Sequence, residues 1–310
     1  MHVGFIGLGM MGLPMAENLA RAPGIALVAF DRAPAQLAHL RTHPAFGSSL
    51  SIAEEIAELS SCETVVLMLP DSSITNVVVL GNADEPGLIR ILQKGAMIID
   101  MGSSNPVETR KLRARLAEAG IALVDAPVSG AVAKAKTGTL SILFGGDDAE
   151  FARARPLLEM MGSALIRAGA VSAGHAMKAI NNYVYAAGLL AVSEALAIGR
   201  AMDLDVSVLA NVLNASSGRN VASETKLAQF MIPGTFAGGF ALKLQAKDLG
   251  IVASMLEGTD LDVPQVALCA ALWREASAAL GPQADNTEIY RFLERRHDAA
   301  APKEEAHAAD

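Results

Sequence analysis

Short apolar runs and amphipathic stretches alternate along the first half of the chain. The apolar runs occupy residues 3–7, 26–31, 64–70, 96–102, 122–129, 140–146 and 164–169. Most of the stretches between them have helical spacing, as in residues 106–120, where one face is charged. Continuously apolar strands that alternate with helices are typical of a parallel sheet with helices on both faces. The pattern therefore predicts an α/β domain with a doubly wound sheet.

The pattern changes after about residue 172, where helical segments follow one another without a strand-like run. Turns between them are indicated at glycines such as Gly218 and Gly281. These features predict a second domain that is all-helical. We assign residues 1–165 to the α/β domain, 166–297 to the helical domain and 298–310 to a disordered tail.

Composition and charge exclude several classes of protein. The 310-residue chain has a formal net charge of −8 and no run of Lys or Arg, so we expect no nucleic-acid partner. Cys62 and Cys269 lack CxxC spacing, and we expect neither a disulfide nor a metal site. Glu194 interrupts the longest apolar stretch, so we expect no membrane span. A strand at the first residues argues against a signal peptide, and together these features predict a cytoplasmic protein.

A glycine-rich loop follows the first predicted strand. Gly7, Gly9 and Gly12 have the spacing GxGxxG, and Leu8, Met10 and Met11 fill the positions between them. Such glycines permit a tight turn and let the N–H groups of a helix N-terminus approach a pyrophosphate. An ordinary strand–helix turn is the alternative. The position between a strand and a helix favours a Rossmann-type dinucleotide-binding domain.

The end of the second predicted strand indicates which dinucleotide is bound. A carboxylate such as Asp31 can accept hydrogen bonds from a ribose 2′-hydroxyl and would repel a 2′-phosphate, which favours NAD. The adjacent Arg32 could pair with a 2′-phosphate, so NADP stays possible. Leu69-Pro70 and Ser103 close two further strands where open sheets bind ligands, although each could be an ordinary loop.

Lys178 lies near the start of a helix that is otherwise almost wholly apolar. At 100° per residue, Asn181, Asn182 and Tyr185 share its face. A helix that is apolar all round is expected to be buried, and a buried ammonium group needs a polar partner. Partial burial and the positive helix end would both lower the pKa of the lysine, which suits proton exchange with an alcohol. The alternative is a lysine whose stem packs while its ammonium group reaches water.

Several ordered motifs resemble the β-hydroxyacid dehydrogenase family over nearly the whole chain. They are GFIGLGMMGLPMAENL at the N-terminus, DAPVSGA at 125–131, GHAMKAINN at 174–182, SSGRN at 216–220 and GGFALKLQAKDL at 238–249. The family includes 3-hydroxyisobutyrate dehydrogenase, tartronate semialdehyde reductase and 2-(hydroxymethyl)glutarate dehydrogenase. A more distant relative is 6-phosphogluconate dehydrogenase.

The resemblance implies a role for residues in each motif. Lys178 would be the catalytic acid/base, and Asn182 would orient the substrate. Ser129 and Gly130 would bind the substrate carboxylate, while Arg219 would either pair with a substrate carboxylate or cap a helix end. The cofactor would lie against Gly7, Leu8, Gly9, Met10, Met11, Gly12, Asp31, Arg32, Leu69, Pro70, Ser103, Phe240 and Lys247.

The implied reaction is reversible hydride transfer between NAD(H) and a small 3-hydroxy acid, in a homodimer or homotetramer. The chain departs from the family pattern at Gly102, where Ser is usual, and at Ala131 and Ser172, where Gly is usual; Ala131 leaves the exact substrate open. A non-catalytic dinucleotide-binding module is one alternative. An NADPH-dependent semialdehyde or imine reductase is another, and an imine reductase would be expected to have Asp or Tyr at the lysine position. The chain is short for 6-phosphogluconate dehydrogenase.

Overall fold

The structure is a computed structural model that describes residues 1–257 and 259–300. The chain divides into two compact units, Met1–Ala179 and Ile180–Asp310. The predicted domain boundary after residue 165 lies within the last strand of the first unit, Gly162–Gly169.

The first unit contains all the strands of the described residues, and three of its helices begin at side-chain caps. The strands are β1 (His2–Ile6), β2 (Ala26–Phe30), β3 (Leu50–Ile52), β4 (Thr64–Leu67), β5 (Met97–Asp100), β6 (Ala122–Asp125), β7 (Val128–Ser129), β8 (Leu140–Gly145) and β9 (Gly162–Gly169). The helices are α1 (Gly12–Arg21), α2 (Pro34–Leu40), α3 (Ser72–Leu80), α4 (Leu88–Ile91), α5 (Pro106–Glu118), α6 (Ala131–Thr137) and α7 (Asp148–Glu159), with a 3-10 turn at Ile56–Ser61. Asp71, Asn105 and Asp147 accept hydrogen bonds from first-turn N–H groups of α3, α5 and α7, which fixes where these helices begin.

The strands form one sheet in the order β3-β2-β1-β4-β5-β6-β8-β7, with β9 paired to β8. The chain leaves β1 toward β2 on one side and returns to β4 on the other, so the loop after β1 lies where the strand order reverses. The expectation of a parallel sheet is confirmed from β3 to β6 and is wrong at the other edge. There β8 runs antiparallel to β6 and β7, because the chain reverses between β7 and β8, in the segment that contains α6, and β9 is parallel to β8. The pattern also missed β3, whose three residues are too few to show periodicity.

Apolar side chains cover both faces of the sheet. From β1, Val3 and Phe5 enter a cluster that contains Met15 and Leu19 of α1. Ile6 enters a second cluster. Because successive residues of a strand point to opposite faces, the two clusters lie on opposite sides of the sheet. The doubly wound arrangement predicted from the apolar strands is confirmed.

The helix α8 (Ala173–Ala201) begins in the first unit and continues into the second. After it come α9 (Val206–Ala215), a π-helical segment (Ser223–Met231), α10 (Leu242–Met255), α11 (Pro264–Leu280), a 3-10 turn (Asn286–Glu288) and α12 (Ile289–Ala300). The second unit is therefore all-helical in its described residues, as predicted. The helix α12 reaches Ala300 and so includes the first residues of the predicted tail, while the rest of that tail lies outside the described residues.

One face of α8 packs and the opposite face is exposed. Leu189, Val192 and Leu196 belong to a core cluster built around Trp273. The exposed large apolar residues are Met177 (47%), Ile180 (47%), Val184 (62%) and Ile198 (59%). Within this chain the expected burial of the helix is therefore found on one face only.

By length and composition, α8 could cross a membrane, although Glu194 was expected to prevent this. The core helix of a soluble protein meets the same criterion. Of the most apolar window of α8, 39% is buried within the chain's own fold. The apolar character of α8 is thus partly explained by its packing in the helical unit.

Candidate active site

Most of the predicted cofactor residues of the first unit follow strands that end at the same edge of the sheet. The strands β2, β1, β4 and β5 are parallel neighbours. Asp31, Gly7, Leu69 and Ser103 each come shortly after one of them. Since parallel strands end at a common edge, the structure brings these residues together where open α/β sheets bind ligands.

The loop from Gly7 to Gly12 fits a pyrophosphate. Gly7 has a φ of +99°, and a Cβ on Gly12 would lie 1.8 Å from the carbonyl oxygen of Gly7. A Cβ on Gly9 would meet no atom within 4 Å, so the space beside the loop is open. The N-cap residue Met11 makes no side-chain cap hydrogen bond, and the first turn of α1 has no acidic residue. Leu13 N and Met15 N donate to the carbonyl oxygens of Gly9 and Met11, so it is the loop before them and the positive end of the helix dipole that favour an anion here.

The other residues of this loop differ in exposure. Leu8 is fully buried and Met11 packs against the core, whereas Met10 is 78% exposed. Leu8 and Met11 thus anchor the loop. Met10 faces solvent in this chain.

Asp31 ties the glycine loop to the loop after β2. Its Oδ2 accepts a hydrogen bond from Leu8 N at 2.6 Å, and its Oδ1 accepts one from Ala33 N at 2.8 Å. A carboxylate offers about four lone-pair sites, so Asp31 keeps capacity for a ribose hydroxyl. The neighbouring Arg32 forms an exposed ion pair with Glu85. This pair gives the guanidinium an acidic partner within the chain.

Gly102 lets the loops after β4 and β5 lie close together. A Cβ at this position would be 2.7 Å from the carbonyl oxygen of Leu69 and 3.2 Å from Asp100 Oδ1. The Gly102 N–H donates to Asp100 Oδ1 at 3.0 Å. Ser103 beside it is partly buried. Glycine at this position, where the family usually has serine, therefore permits the backbones of the two loops to approach each other closely.

The predicted carboxylate-binding loop lies between β7 and α6. Ser129 ends β7 opposite Ser141 of β8, and Gly130 follows with a φ of +138°. The aliphatic stem of Lys134 lies where a side chain on Gly130 would be, with Cδ 2.6 Å from the position of a Cβ. Ala131 has a φ of +56°, so it keeps the left-handed backbone that glycine adopts at little cost.

A buried carboxylate, Asp125, holds the first turn of α8. Its Oδ1 accepts from Ser172 N at 2.6 Å and its Oδ2 accepts from His175 N at 2.8 Å. Burial raises the pKa of this carboxyl group, while the charge of His175 and the two backbone hydrogen bonds oppose that shift. Lys178 follows His175 by three residues and is partly buried. The turn that carries Lys178 is thus continuous with a turn fixed to the end of β6.

This anchor was not predicted, although its residues lie within the quoted motifs. Asp125 is the first residue of DAPVSGA, and His175 is the second of GHAMKAINN. An acidic residue at the end of a fully apolar strand is a signal that could have identified Asp125, because a buried carboxylate requires donors.

In the second unit, Asn182 is fixed by residues of α10. Its side-chain Nδ2 donates to Asp248 Oδ2 at 2.6 Å, and its backbone carbonyl oxygen accepts from Gln245 Nε2 at 3.1 Å. Asp248 Oδ1 also lies 3.3 Å from Lys247 Nζ. Asn182, Gln245 and Asp248 are 9%, 0% and 3% exposed, so the orientation of the Asn182 amide is set inside the fold. Asp248 thus connects two predicted site residues, Asn182 and Lys247.

Three other residues of the predicted site or its polar patch have partners within the second unit. Tyr185 accepts a hydrogen bond from Asn286 Nδ2 at 3.4 Å, and burial raises its pKa to about 12, so its hydroxyl stays protonated. Phe240 N donates to Asp285 Oδ2 at 3.1 Å. Arg219 is exposed and lies 3.4 Å from Glu224 at the start of the π-helical segment. Among the residues that the structure describes, no group of three or more His, Cys, Asp or Glu could hold a metal ion.

Two models of known protein families match this chain, one after the other along the sequence. The family model for the NAD binding domain of 6-phosphogluconate dehydrogenase matches residues 2–172. The model described as NAD-binding of NADP-dependent 3-hydroxyisobutyrate dehydrogenase matches residues 172–293. The two matches together span both units.

Individual relatives are similar over most of their length. The chain is 34% identical over 279 residues to 2-(hydroxymethyl)glutarate dehydrogenase of Eubacterium barkeri, covering 90% of each protein. It is 33% identical over 300 residues to mitochondrial 3-hydroxyisobutyrate dehydrogenase of Homo sapiens, covering 94% of this chain and 86% of that one. The solved structure of Mycobacterium tuberculosis 3-hydroxyisobutyrate dehydrogenase with L-serine superposes with a TM-score of 0.83 at 27% identity, covering 94% and 98% of the two chains. The chain therefore belongs to the β-hydroxyacid dehydrogenase family of NAD(P)-dependent oxidoreductases.

Proposed function

We propose that this enzyme interconverts a small 3-hydroxy acid and the corresponding semialdehyde, with Lys178 as the acid/base. The observation that carries the proposal is the start of α8. Lys178 is partly buried, follows a turn anchored by Asp125, and precedes Asn182 by one helical turn. A lysine and an amide fixed on one helical face are arranged to meet a polar substrate.

Each group has a defined part in this proposal. Bound NAD(P) supplies the hydride acceptor or donor. The loop Gly7–Gly12 holds its phosphates, and Asp31 accepts from its ribose. Lys178 takes the hydroxyl proton during oxidation and returns it during reduction. Asn182 orients the substrate.

The substrate class follows from what the relatives are named for and contain. Both 2-(hydroxymethyl)glutarate and 3-hydroxyisobutyrate carry a primary alcohol one carbon away from the carbon that bears a carboxylate, and so does the L-serine in the M. tuberculosis structure. We propose that this shared part is recognised, with Ser129 and Gly130 at its carboxylate. The panel of substrates described below tests which substituent the enzyme accepts on the carbon between the alcohol and the carboxylate. The roles of Arg219, Phe240 and Lys247 remain predictions.

The test is turnover of a panel of 3-hydroxy acids with NAD⁺ and NADP⁺, followed by substitution of the lysine. General acid–base groups contribute roughly 10²–10⁴-fold, and we expect Lys178→Ala to lose about that much kcat while NADH still binds. Lys178→Arg is expected not to recover activity, because a guanidinium stays protonated. The oxidation rate should rise with pH in the wild type as the lysine loses its proton, and Lys178→Ala should lack that rise.

Two results would contradict the proposal. If Lys178→Ala kept more than about a tenth of the wild-type kcat, general acid–base catalysis by Lys178 would be wrong. If the wild type bound NADH but oxidised no member of the panel, the protein would be better described as a non-catalytic dinucleotide-binding module. A cytoplasmic location is also proposed, and the burial of both free cysteines, Cys62 and Cys269, is compatible with it.

A further inference from the structure

His175 lies in a buried polar cluster that joins three elements of the first unit to the start of α8. The side chain is 1% exposed. Its Nδ1 is 2.9 Å from Thr109 Oγ1 of α5. Two carboxylates flank the ring, with Asp100 Oδ2 3.8 Å from Nε2 and Asp125 Oδ2 3.8 Å from Nδ1. Asp100 ends β5 and Asp125 ends β6, so the ring contacts one helix and faces two strand ends.

The hydrogen bonds around Thr109 fix the orientation of the ring. Thr109 Oγ1 is 3.0 Å from the carbonyl oxygen of Asn105, which can only accept. That oxygen also accepts from Thr109 N at 3.0 Å, so the direction of the bond between Thr109 Oγ1 and His175 Nδ1 depends on the imidazole tautomer, and the pairing itself places the ring. Among the described residues Nε2 has no hydrogen-bond partner, since Asp100 lies beyond bonding distance and its Oδ2 already accepts from Ser104 Oγ at 2.7 Å.

The backbone at the start of α8 is fixed as closely as the ring. Asp125 accepts from Ser172 N and His175 N, and so supplies the cap that this helix would otherwise take from its own first residues. A Cβ on Gly174 would lie 2.2 Å from the carbonyl oxygen of Leu143, so the helix rests directly on β8. Ser172 has a φ of +83°, and its Oγ accepts from Arg110 at 3.1 Å.

An imidazole is a costly choice for this position if it only fills space. A buried nitrogen without a hydrogen-bond partner lowers the stability of the fold, and an apolar side chain of similar volume would avoid that loss. Buried polar groups without a hydrogen-bond partner are expected mainly at functional sites. His175 precedes Lys178 by three residues, so both lie on the same side of the helix, less than one turn apart.

We propose that His175 is a positioning residue that, together with Asp125, holds the lysine of α8 in register with the edge of the sheet. The inference rests on the acid/base role proposed for Lys178. His175 does not exchange protons with the substrate in this account. A helix is stiff over one turn, so a shift of the anchored turn moves Lys178 with it, and misplacement by about 1 Å can cost about 10²-fold in rate.

The experiment compares His175→Ala, His175→Gln and Asp125→Asn with a matched control on the same helix. Ser193→Ala removes a fully buried hydroxyl that donates to the Leu189 carbonyl oxygen at 2.7 Å, far along α8 from the anchor. We measure Tm, the Kd for NADH, kcat, and the pH at which the oxidation rate is half-maximal. We expect His175→Ala and Asp125→Asn to lower kcat by about 10- to 100-fold relative to Ser193→Ala and to move the pH midpoint, with the Kd for NADH unchanged within about twofold.

The outcomes separate this inference from the proposed function. Glutamine can donate to Thr109, so His175→Gln should recover part of the kcat lost by His175→Ala. If His175→Ala does not fold, Thr109→Val removes the partner of Nδ1, together with the local bond to the Asn105 carbonyl oxygen, and should give a smaller loss with the same shift in pH midpoint. If Lys178→Ala is inactive while the His175 and Asp125 variants match Ser193→Ala in kcat and pH midpoint, the positioning role is wrong. If Lys178→Ala is itself active, the acid/base role of Lys178 is wrong, and the proposed function is refuted whatever the His175 variants show.

Discussion

Glycine positions at the candidate site are filled in two opposite ways. Ala131 and Ser172 stand where the family usually has glycine, yet their φ values of +56° and +83° keep the left-handed backbone. Such a conformation costs an L-residue roughly 1–2 kcal/mol. Gly102 stands where serine is usual, and a side chain there would approach the Leu69 carbonyl oxygen to 2.7 Å. The substitutions at 131 and 172 therefore preserve the backbone path, while Gly102 accompanies a closer approach of two loops.

Cofactor preference is decided among Asp31, Arg32 and Glu85. Arg32 is engaged by Glu85 and Asp31 carries a negative charge, so we expect the wild type to prefer NAD⁺. Glu85→Gln releases Arg32 without touching the glycine loop. Because an exposed ion pair is worth ~1 kcal/mol at most, the ratio of kcat/KM for NADP⁺ over NAD⁺ should rise by up to about fivefold. Asp31→Asn should raise it further, since it removes repulsion of a 2′-phosphate.

The matched control for this prediction is Glu159→Gln, which breaks the exposed ion pair between Arg155 and Glu159 on α7. It should leave the ratio unchanged. A wild-type enzyme that already favoured NADP⁺ by about tenfold or more in kcat/KM, or ~1.4 kcal/mol, would overturn the argument from Asp31.

At the scale of elements, substitution of two glycines in one loop is expected to have different effects, on stability at Gly12 and on cofactor binding at Gly9. A Cβ on Gly12 would lie 1.8 Å from the Gly7 carbonyl oxygen, so Gly12→Ala must push α1 away from β1. We expect a loss of stability of roughly 1–3 kcal/mol, seen as a lower Tm. Gly9→Ala meets no atom within 4 Å and should leave Tm unchanged. It fills space that a pyrophosphate would use, so the Kd for NADH should rise at least about tenfold, or ~1.4 kcal/mol.

A Gly9→Ala variant that bound NADH as the wild type does would show that the open space beside the loop is not the phosphate site. Isothermal titration of both variants together with thermal melts distinguishes the two effects. The comparison needs no activity, so it holds whatever the substrate is.

Long periodic elements could be predicted from the sequence, and short or long-range features could not. The strand–loop–helix unit from β1 to α1 and the helices after residue 172 follow from apolar spacing alone. The three-residue β3 carries too little pattern, and the apolar run at 122–129 does not show that it divides into β6 and β7. The reversal of direction between β7 and β8 is a property of the folded sheet.

The residues of the candidate site also differ in whether a local sequence pattern could identify them. Gly7, Gly12 and Asp31 were identifiable because their roles depend on local spacing. The carboxylates that hold the start of α8 and the Asn182 side chain, namely Asp125 and Asp248, come from a distant strand and a distant helix, so only the folded chain brings them to these positions. The polar groups of the lysine helix were visible in the sequence, but what holds them was not.

At the scale of the whole molecule, α8 exposes an apolar face that a partner would be expected to cover. Met177, Val184, Ala191 and Ile198 are exposed and recur every seven residues, and Ile180 lies beside them. A monomer rarely leaves a contiguous apolar stripe of this length in water. A seven-residue apolar repeat is the pattern of a helix that packs along another helix, and a second copy of this chain provides one with the same repeat. We therefore propose that the enzyme is a homodimer, or a homotetramer built from such dimers.

This assembly is tested by placing charge on the stripe. Val184→Glu and Ile198→Glu would bury carboxylates in the proposed interface, which is strongly unfavourable without a partner cation. We expect the wild type to sediment as a dimer or tetramer at micromolar concentration and both variants to shift toward monomer. Leu261→Glu is the control, because Leu261 is 67% exposed and lies outside α8, and it should leave the assembly intact. A wild-type monomer, or α8 variants that stay assembled, would mean that a second copy does not cover this face.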